Sequence, residues 1–434
     1  MNIIKNLTFA ITCISIFQSC AAQNKITVPE ISQTDVGRII KTLSADEMMG
    51  RNSMKPEQIA KAADFIASEF KGAGLKYFDG LNTYRQNFEL VQSKFSSGEL
   101  FINGKEIDPE DYALSSTEKE LAWESLPKIE HIGKDDNFLV KSQGYLQNDE
   151  NLIILVDPSE AAYFKRVKAF LSRGGMRVGS SKSASKLFVL GNQEVKTIKA
   201  RFTNTVSSIP LFNVVGVLPG KSRPNEYVVF SGHYDHLGII KAVNQDSIAN
   251  GADDDASGTT AVIELAKYFS KKNDNERTLV FVAFTAEEIG GYGSQYFSKQ
   301  LNPNQTVAMF NIEMIGKESK FGKNNAFITG YERSDFGKIL QRNLEGTGFK
   351  FYPDPYPAQN LFYRSDNATL ARLGVPAHTI SSDQIDTDKL YHSVDDEFET
   401  LDVGNITEII KAIAISSTSI VDGKDTPTRV SGVK

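Results

Sequence analysis

The spacing of apolar residues changes along the chain, and the changes predict how it is organised. Between residues 26 and 90, apolar side chains recur every three to four positions, which predicts amphipathic helices. Residues 91–205 hold short apolar runs at 152–156 and 187–190 instead, around a helical segment at 161–171. We interpret 91–205 as a smaller β-rich domain inserted into the chain.

From residue 206 to about 425, β-rich runs alternate with helical segments. The runs at 227–230, 278–284 and 307–312 are largely apolar, which is typical of strands buried on both faces. Segments between these runs have the periodicity of amphipathic helices. This alternation predicts an α/β fold with a mostly parallel central sheet covered by helices on both faces, and the helices of 26–90 are assigned to the same domain.

The first 19 residues have the features of a signal peptide. Lys5 precedes an apolar stretch at 7–17, which is too short to span a bilayer. Cys20 follows at a position that resembles a bacterial lipoprotein cleavage site, where the thiol receives the lipid. We therefore expect export and a lipid anchor on Cys20 in the cell envelope. Ordinary cleavage after Ala22 is the alternative, and it would leave the protein periplasmic or secreted.

Composition narrows the possible functions. Of the 434 residues, 48 are Lys or Arg and 54 are Asp or Glu, so the formal net charge is −6. This acidic balance argues against a nucleic-acid partner, which needs a basic face. Both cysteines, Cys13 and Cys20, lie in or next to the predicted leader, so no disulfide framework is expected in the mature chain. A membrane partner is expected only through the lipid.

Histidines and carboxylates follow three of the predicted strands, at the point where each strand ends. In an open α/β sheet, ligands bind in the crevice outside the carboxyl ends of the strands, so these residues are expected to converge. Two further segments, Asp253-Asp254-Asp255 and Tyr391-His392, can reach the same edge from loops. Adjacent acidic residues are common and histidines are scarcer, and only the joint placement of all these segments points to a site. The strand-end motifs are His233-Tyr234-Asp235-His236, Glu287-Glu288 and Glu313.

Histidine with several carboxylates and no cysteine is the ligand mixture of a catalytic zinc site. Five ligands suffice for two ions if one carboxylate bridges them. Such a site acidifies a water molecule and polarises a carbonyl oxygen, and it needs a further carboxylate to carry the proton. Glu287 and Glu288 can divide these tasks, because neighbouring side chains at a strand end point in different directions. We therefore expect Zn²⁺, with two ions per chain.

These motifs resemble metallopeptidase family 28 of clan MH, whose members include zinc-dependent aminopeptidases. The resemblance covers about 206–422 and extends to the N-terminal helices through residues 43–51. It implies a zinc-exopeptidase fold and peptide substrates. The motifs that carry it are Ser-Gly-His-Tyr-Asp-His-Leu-Gly at 231–238, Gly-Ala-Asp-Asp-Asp-Ala-Ser-Gly at 251–258, Thr-Ala-Glu-Glu-Ile-Gly at 285–290 and Leu-Tyr-His-Ser at 390–393.

The family pattern implies a metal-binding role for five residues. His233 would bind one zinc and Glu288 the other, with Asp254 bridging both. Glu313 would complete the His233 site, and His392 would complete the Glu288 site. Family members usually carry aspartate at the position of Glu313. The extra methylene of glutamate is expected to weaken the binding of the ion at this position.

Other implied roles concern the chemistry around the metals. Glu287 would act as general base and acid. Asp235 would orient a ligand imidazole from the second shell of the site. Tyr391 would help to stabilise an oxyanion. His236 and His378 are interpreted as structural or pocket-lining residues and not as ligands.

The favoured function is an exported zinc aminopeptidase that hydrolyses N-terminal residues from peptides. A carboxypeptidase on the same site would need a cationic pocket for the terminal carboxylate, for which Arg364 is the candidate. Glutaminyl cyclase-like acyl transfer on a one-zinc site is another alternative. A non-catalytic binding module is disfavoured, because every ligand and base position holds a competent side chain. The insert at 91–205 has the size and placement of a protease-associated domain, and the oligomeric state is not predicted.

Overall fold

The computed structural model describes residues 28–179 and 183–431. The predicted signal peptide at 1–19 and the expected lipid site at Cys20 therefore lie outside the described residues. Within the described ranges, no helix is both long enough and apolar enough to cross a bilayer.

Helices and strands alternate along most of the described chain. The helices are α1 (Gln33–Leu43), α2 (Pro56–Gly72), α3 (Phe138–Leu146), α4 (Ala161–Leu171), α5 (Gly258–Lys272), α6 (Tyr292–Ser298), α7 (Phe336–Asn343), α8 (Asn367–Ala371), α9 (Val403–Ser416) and α10 (Thr418–Val421). The strands are β1 (Lys76–Tyr77), β2 (Arg85–Ile102), β3 (Lys105–Glu106), β4 (Tyr112–Ser115), β5 (Glu120–Trp123), β6 (Lys128–Ile132), β7 (Leu152–Val156), β8 (Gly175–Val178), β9 (Lys186–Leu190), β10 (Ile198–Leu218), β11 (Arg223–His233), β12 (Gly238–Val243), β13 (Asp246–Ala249), β14 (Arg277–Phe284), β15 (Thr306–Ile312), β16 (Asn325–Ile328), β17 (Lys350–Pro353) and β18 (Ala377–Ser381).

A large sheet forms the centre of the molecule, in the order β17-β16-β18-β15-β11-β14-β10-β2-β3, with β1, β5 and β8 paired beside that path. Its middle strands β18, β15, β11 and β14 run parallel. The flanking strands β10 and β16 pair antiparallel to β14 and β18. The predicted parallel sheet is therefore confirmed for the strands that carry the ligand motifs, and antiparallel strands extend it on both sides.

Helices cover both faces of this sheet, as predicted. Side chains of β14 alternate between two cores, because successive residues of a strand point to opposite faces. One core also contains apolar residues of α1, α2, α5, α7 and α9, and the other contains those of α6 and α8. From β14, the first core receives Leu279, Phe281 and Ala283, and the second receives Val280, Val282 and Phe284.

The insert is connected to the central sheet by strands that extend into it, and not by loops. Strands β2 and β10 pair antiparallel from Arg85 and Val214 to Ile102 and Ile198, so the boundaries predicted at 91 and 205 fall inside these strands. A separate four-stranded sheet, β4-β9-β7-β6, packs one face on β2, β5 and β10 and the other on α3 and α4. The amino-acid composition changes near the start of the insert. Because β2 and β10 each span the central sheet and the insert, their sequences do not show where one part ends and the other begins.

Candidate metal centre

The parallel strands β11, β14 and β15 deliver three ligand-type segments to one edge of the sheet. His233 is paired in register with Phe284, and Ser231 with Asn311, so the three strands end at nearly the same level. This is the carboxyl edge, where α/β sheets bind their ligands. The strand-end motifs therefore start side by side, as the sequence predicts.

One carboxylate, that of Asp254, lies between two imidazoles. His233 Nε2 is 3.2 Å from Asp254 Oδ1, and His392 Nε2 is 3.3 Å from Asp254 Oδ2. His392 Nε2 also lies 3.0 Å from Glu288 Oε2. Residues that are far apart in the sequence thus meet around one carboxylate, and its two oxygens face different histidines.

His236 also belongs to this cluster, although the sequence analysis places it among structural or pocket-lining residues. Its Nδ1 is 2.7 Å from Glu288 Oε1 and 3.8 Å from Asp254 Oδ2, and the residue is buried. The donor atoms of His236, Asp254 and Glu288 all lie within 4.8 Å of one another. The available signal was its position three residues after His233, at the end of the same strand.

The spacing of the donor atoms fits metal coordination. Two ligand atoms at roughly 2.0–2.1 Å from a tetrahedral zinc ion are about 3.3–3.4 Å apart. The Nε2 atoms of His233 and His392 lie 3.0 to 3.3 Å from the carboxylate oxygens of Asp254 and Glu288. In the part of the chain that the structure describes, the buried atom Glu313 Oε2 has no hydrogen-bond partner, and the buried His233 Nε2 makes no well-aligned hydrogen bond. Buried polar atoms are rarely left in this state, and an ion would satisfy them.

The cluster has a strongly negative electrostatic field. Although burial opposes it, Asp254 and Glu288 raise the pKa of His392 to about 10. The pKa of His233 is likewise raised well above its ordinary value against the effect of burial, by Asp254 and other nearby carboxylates. In return, the histidines hold the pKa of Asp254 well below its usual range in spite of burial. The site favours cations, and a metal ion that replaces the imidazole protons would meet the same demand.

Glu287 is a carboxyl group of the site whose protonated form is favoured. Burial raises its pKa well above the ordinary value, and the carboxylates of Glu313, Asp366 and Glu288 act in the same direction. A carboxyl group with this bias binds a proton more readily than an ordinary glutamate, which suits a general acid–base residue.

Asp235 contacts the His233 ring differently from the expectation. His233 Nδ1 lies 3.1 Å from the main-chain oxygen of Asp235 and 3.7 Å from its carboxylate Oδ1. That carboxylate oxygen instead accepts a hydrogen bond of 3.1 Å from the backbone N–H of Glu287. Asp235 therefore faces the imidazole mainly through its carbonyl group, and its side chain connects the end of β11 to Glu287. The sequence identifies the residue but not the atom.

Glu313 and Tyr391 line a cleft beside the cluster. Burial raises the pKa of Glu313 to about 7, while His233 and a hydrogen bond with Ser365 oppose that rise. The Tyr391 ring stacks on the ring of His392, with 3.9 Å between centroids. The roles expected of these two residues, ligand of a second metal and oxyanion group, stay predictions.

Two buried aspartates position the backbone around Asp254. Asp255 accepts hydrogen bonds from the backbone N–H groups of His233 at 3.0 Å and Met314 at 3.1 Å, which joins the ends of β11 and β15. Asp396 accepts the backbone N–H of Asp254 at 3.0 Å and so connects this turn to the C-terminal loop. No role is predicted for either residue from the sequence. Asp255 belongs to the run Asp253-Asp254-Asp255, whereas no sequence pattern indicates Asp396.

Arg51 fastens the N-terminal part of the chain to the site. Its guanidinium is fully buried, and burial lowers its pKa from the ordinary value. The resemblance at 43–51 is the sequence signal for this residue. Its hydrogen bonds all go to main-chain oxygens, those of Leu43, Tyr234, Asn250 and Gly251.

Several residues of the site adopt left-handed backbone conformations. Ala286 has φ 59°, Met314 has φ 50° and His392 has φ 57°. Non-glycine residues rarely adopt this region, and those that do cluster at functional sites. Gly251 has φ 56°, and a Cβ atom there would collide with the carbonyl oxygen of Asp254, so glycine is required.

Comparison with known proteins identifies the family. Residues 213–416 match the sequence model of peptidase family M28. These residues are an M28 peptidase domain. The M28 domain contains all five predicted metal ligands and Glu287, so the resemblance seen in the sequence is confirmed.

Curated relatives of the M28 domain match over part of their length. A probable zinc metalloprotease of Pyrenophora teres f. teres is 32% identical over 146 residues, which are 33% of this chain and 29% of that protein. Leucine aminopeptidase 1 of Paracoccidioides brasiliensis is 28% identical over 215 residues, which are 46% of this chain and 53% of that protein. The matches thus span from under a third to about half of the length of these relatives.

Solved structures share the fold over most of the chain. The aminopeptidase from Aneurinibacillus sp. strain AM-1 has a TM-score of 0.53 and 17% identity, covering 93% of this chain and 96% of that one. BSAP, a zinc aminopeptidase from Bacillus subtilis, has a TM-score of 0.54 and 15% identity, covering 94% of this chain and 100% of that one. These similarities confirm the α/β fold class predicted for the M28 domain.

Proposed function

We propose that this protein is a zinc-dependent aminopeptidase that hydrolyses the N-terminal residue of peptides. The observation that carries the proposal is the Asp254 carboxylate between His233 and His392, with Glu288 against the same His392 nitrogen. Membership of the M28 domain in a peptidase family supports it. Relatives named zinc metalloprotease and leucine aminopeptidase support the metal and the end of the peptide that is cleaved.

Two zinc ions per chain are the stoichiometry that we propose. His233, Asp254 and Glu313 would hold one ion, and Asp254, Glu288 and His392 the other. Bound zinc would polarise the scissile carbonyl and lower the pKa of a water molecule.

Glu287 would carry the proton during hydrolysis. Its carboxylate takes a proton from the attacking water and returns it to the nitrogen of the leaving amine. The surroundings that raise its pKa strengthen the carboxylate as the base that takes the water proton. Tyr391 would donate its phenolic O–H to the oxyanion that develops on the carbonyl oxygen. Its stacking on His392 supports this position next to the cluster.

Glu287→Gln tests the proposal. Turnover of aminoacyl-4-nitroanilides should fall by about a thousandfold, because the amide cannot accept the water proton. Zinc per chain, measured by mass spectrometry of the metal, should equal that of the wild type, because Glu287 is not a proposed ligand. Glu345→Gln, at an exposed glutamate of the same domain, is the control and should keep full activity. Full turnover in Glu287→Gln, or no hydrolysis by the zinc-loaded wild type, would contradict the proposal.

A carboxypeptidase is the second candidate, because Arg364 lines the same cleft as Glu313 and Tyr391 and is exposed enough to receive a terminal carboxylate. One peptide with a free N terminus and an amidated C terminus, and one with an acetylated N terminus and a free C terminus, separate the two activities. An aminopeptidase cleaves only the first. Release of ammonia from a peptide that begins with glutamine would indicate cyclase activity instead.

We also propose that the protein is exported and carries a lipid on Cys20. The charged and apolar order of residues 1–19, followed by this cysteine, supports the proposal. Cys20→Ser should abolish incorporation of labelled fatty acid and move the protein from the membrane fraction to the soluble fraction. Membrane association that survives the substitution would contradict a lipid anchor at this residue.

A further inference from the structure

The cleft beside the metal cluster contains a buried carboxyl group that the proposed reaction does not use. Asp383 lines this cleft together with Glu313 and Tyr391. Only 4% of its surface is exposed. No N–H or other donor group among the residues that the structure describes is hydrogen-bonded to its carboxyl oxygens, and the group within hydrogen-bonding reach is a second carboxyl, that of Asp388. Such atoms need an explanation, since burying an unpaired polar group costs free energy.

Apolar side chains form part of the wall that accompanies Asp383. They are Met314, Phe327, Leu361 and Ile385, and polar residues line the rest of the cleft. An apolar wall beside a buried carboxyl group matches side chains that have an aliphatic stem and a cationic end. Lysine and arginine bury their stems in this way while their charged groups find a partner.

The surroundings of Asp383 hold more negative than positive charge. Lys317 Nζ lies 2.6 Å from Asp388 Oδ2 and 3.3 Å from Asp253 Oδ2, so one ammonium serves two carboxylates before Asp383 is counted. Burial, together with Asp253 and Asp388, raises the pKa of Asp383 to about 8, and Lys317 opposes the shift only in part. A second cation would balance the cluster. Arg364 is the cationic residue that lines the cleft, and its side chain is exposed to solvent.

We propose that the cleft receives the side chain of the N-terminal residue of the substrate and that Asp383 selects lysine and arginine there. The inference rests on the aminopeptidase function proposed above. Glu313 and Tyr391 place one part of the cleft beside the metal cluster, where the scissile carbonyl would lie. The side chain attached next to that carbonyl is therefore the part of the substrate that can reach Asp383.

Steady-state kinetics with lysyl-, arginyl- and leucyl-4-nitroanilide test the selection. The wild type should have the higher kcat/KM for the two cationic substrates. Asp383→Asn should lower kcat/KM for them by about tenfold or more, because a charge-assisted contact is lost, and should change the leucyl value by less than about twofold. Retained leucyl turnover shows that the variant is folded. The matched control is Asp386→Asn, an exposed aspartate three residues further along the same loop, which should change neither value.

The outcomes separate this inference from the function on which it rests. A wild type that prefers leucine, or an equal loss on all three substrates in Asp383→Asn, overturns the selection and leaves an aminopeptidase. An equal loss would assign Asp383 to the α-ammonium group or to the fold. No hydrolysis of any substrate by the zinc-loaded wild type contradicts the proposed function instead.

A binding measurement needs neither turnover nor a variant that folds. L-lysinamide and L-norleucinamide differ only in the terminal ammonium group. In thermal denaturation of the zinc-loaded wild type, lysinamide should raise the melting temperature more than norleucinamide at equal concentration. Equal shifts would overturn the proposal. Where Asp383→Asn is folded, the difference between the two amides should disappear in it.

Discussion

Asp253 and Asp254 are neighbours in the sequence, but the clusters that they join balance negative charge in different ways. Asp254 faces the imidazoles of His233 and His392. Asp253 faces the ammonium group of Lys317 at 3.3 Å. Each aspartate belongs to a group of three side chains whose donor atoms lie within 4.8 Å of one another. The group of Asp254 contains two carboxyl groups and one imidazole, whereas that of Asp253 contains three carboxyl groups.

The difference lies in the proton or cation that each cluster requires. Lys317 stays charged and pairs with Asp388 at 2.6 Å as well, so its cluster carries part of its own counter-charge. Histidine can be neutral, so the Asp254 cluster must take up protons or a metal ion to reach the same balance. The hydrogen bond of 2.7 Å from the Gly316 N–H to Asp253 Oδ1 gives that side chain a structural task in addition.

The largest effect is expected from Asp254→Asn compared with Asp253→Asn. Asp254→Asn should remove zinc from both proposed positions and lower kcat/KM by about a thousandfold or more, since metal activation contributes several kcal/mol. Asp253→Asn should keep the zinc content and lower the free energy of unfolding by about 1–3 kcal/mol. Metal analysis, kinetics and urea denaturation of both variants check this. Loss of zinc in Asp253→Asn would show that the clusters are not independent.

A smaller effect is expected from Lys317→Met, which removes the built-in cation. It leaves the carboxylates of Asp253 and Asp388 without their partner, so the free energy of unfolding should fall by about 3 kcal/mol at pH 7. Added Ca²⁺ should restore part of it in the variant and not in the wild type. The control Lys323→Met removes an exposed lysine paired with Asp402 and should change stability by less than about 0.5 kcal/mol. Equal effects of the two substitutions would contradict the comparison.

A similar contrast distinguishes His378 from His392 in the zinc-free protein. Burial lowers the pKa of His378 to about 4, and its ring nitrogens contact the Thr329 carbonyl oxygen at 2.8 Å and the Ser334 hydroxyl at 2.7 Å. Because the folded pKa lies below the ordinary 6.5, the unfolded chain binds the proton more tightly. Stability from this group is complete above pH 6.5 and is lost as the pH falls toward 4, by up to about 3 kcal/mol.

His392 should give the opposite slope. Its pKa is raised to about 10 by Asp254 and Glu288 against the effect of burial, so its contribution is present below pH 6.5 and is lost as the pH rises toward 10. Urea denaturation of zinc-free protein between pH 5 and 10 measures both slopes. His378→Asn should flatten the acid side only, and His392→Asn the alkaline side only. Zinc loading should remove the alkaline slope, and its persistence would argue against metal binding at His392.

The convergence of the ligand motifs could be predicted because it follows from strand topology. All eight residues of β14 are buried, and six of them, Leu279 to Phe284, form a continuous apolar run that ends shortly before Glu287 and Glu288. Parallel strands end at one edge, which brings the His233 motif to the same place. The class of metal follows from the residue types, and the family resemblance supplies the pairing of each ligand with each ion.

Other features depend on atoms that the sequence pattern does not specify. The contact of His236 with Glu288 depends on the direction of a side chain after the strand has ended. The contact of Asp235 with the imidazole uses a main-chain oxygen, which every residue possesses. Asp396 reaches Asp254 from a loop that no periodicity describes. The boundaries predicted for the insert at 91 and 205 fall inside β2 and β10, because these strands run through both parts without interruption.

The smallest expected effect concerns His236. This residue contacts a carboxylate oxygen of Glu288, as Lys317 contacts a carboxylate oxygen of Asp388. His236 Nδ1 contacts Glu288 Oε1 at 2.7 Å and leaves Oε2 to His392. His236→Ala should weaken zinc binding by roughly tenfold to a hundredfold, the usual effect of losing a residue that orients a ligand.

His236→Asn should restore most of that affinity, because its amide N–H can take the place of Nδ1–H. Competition with a chromogenic chelator measures the affinity, and His131→Ala, at an exposed histidine of the insert, is the control. Unchanged affinity in His236→Ala would make this histidine a packing residue, as the sequence analysis interprets it. Equal loss in the Ala and Asn variants would make His236 a metal ligand, since an amide can orient Glu288 but is a poor substitute for an imidazole on zinc.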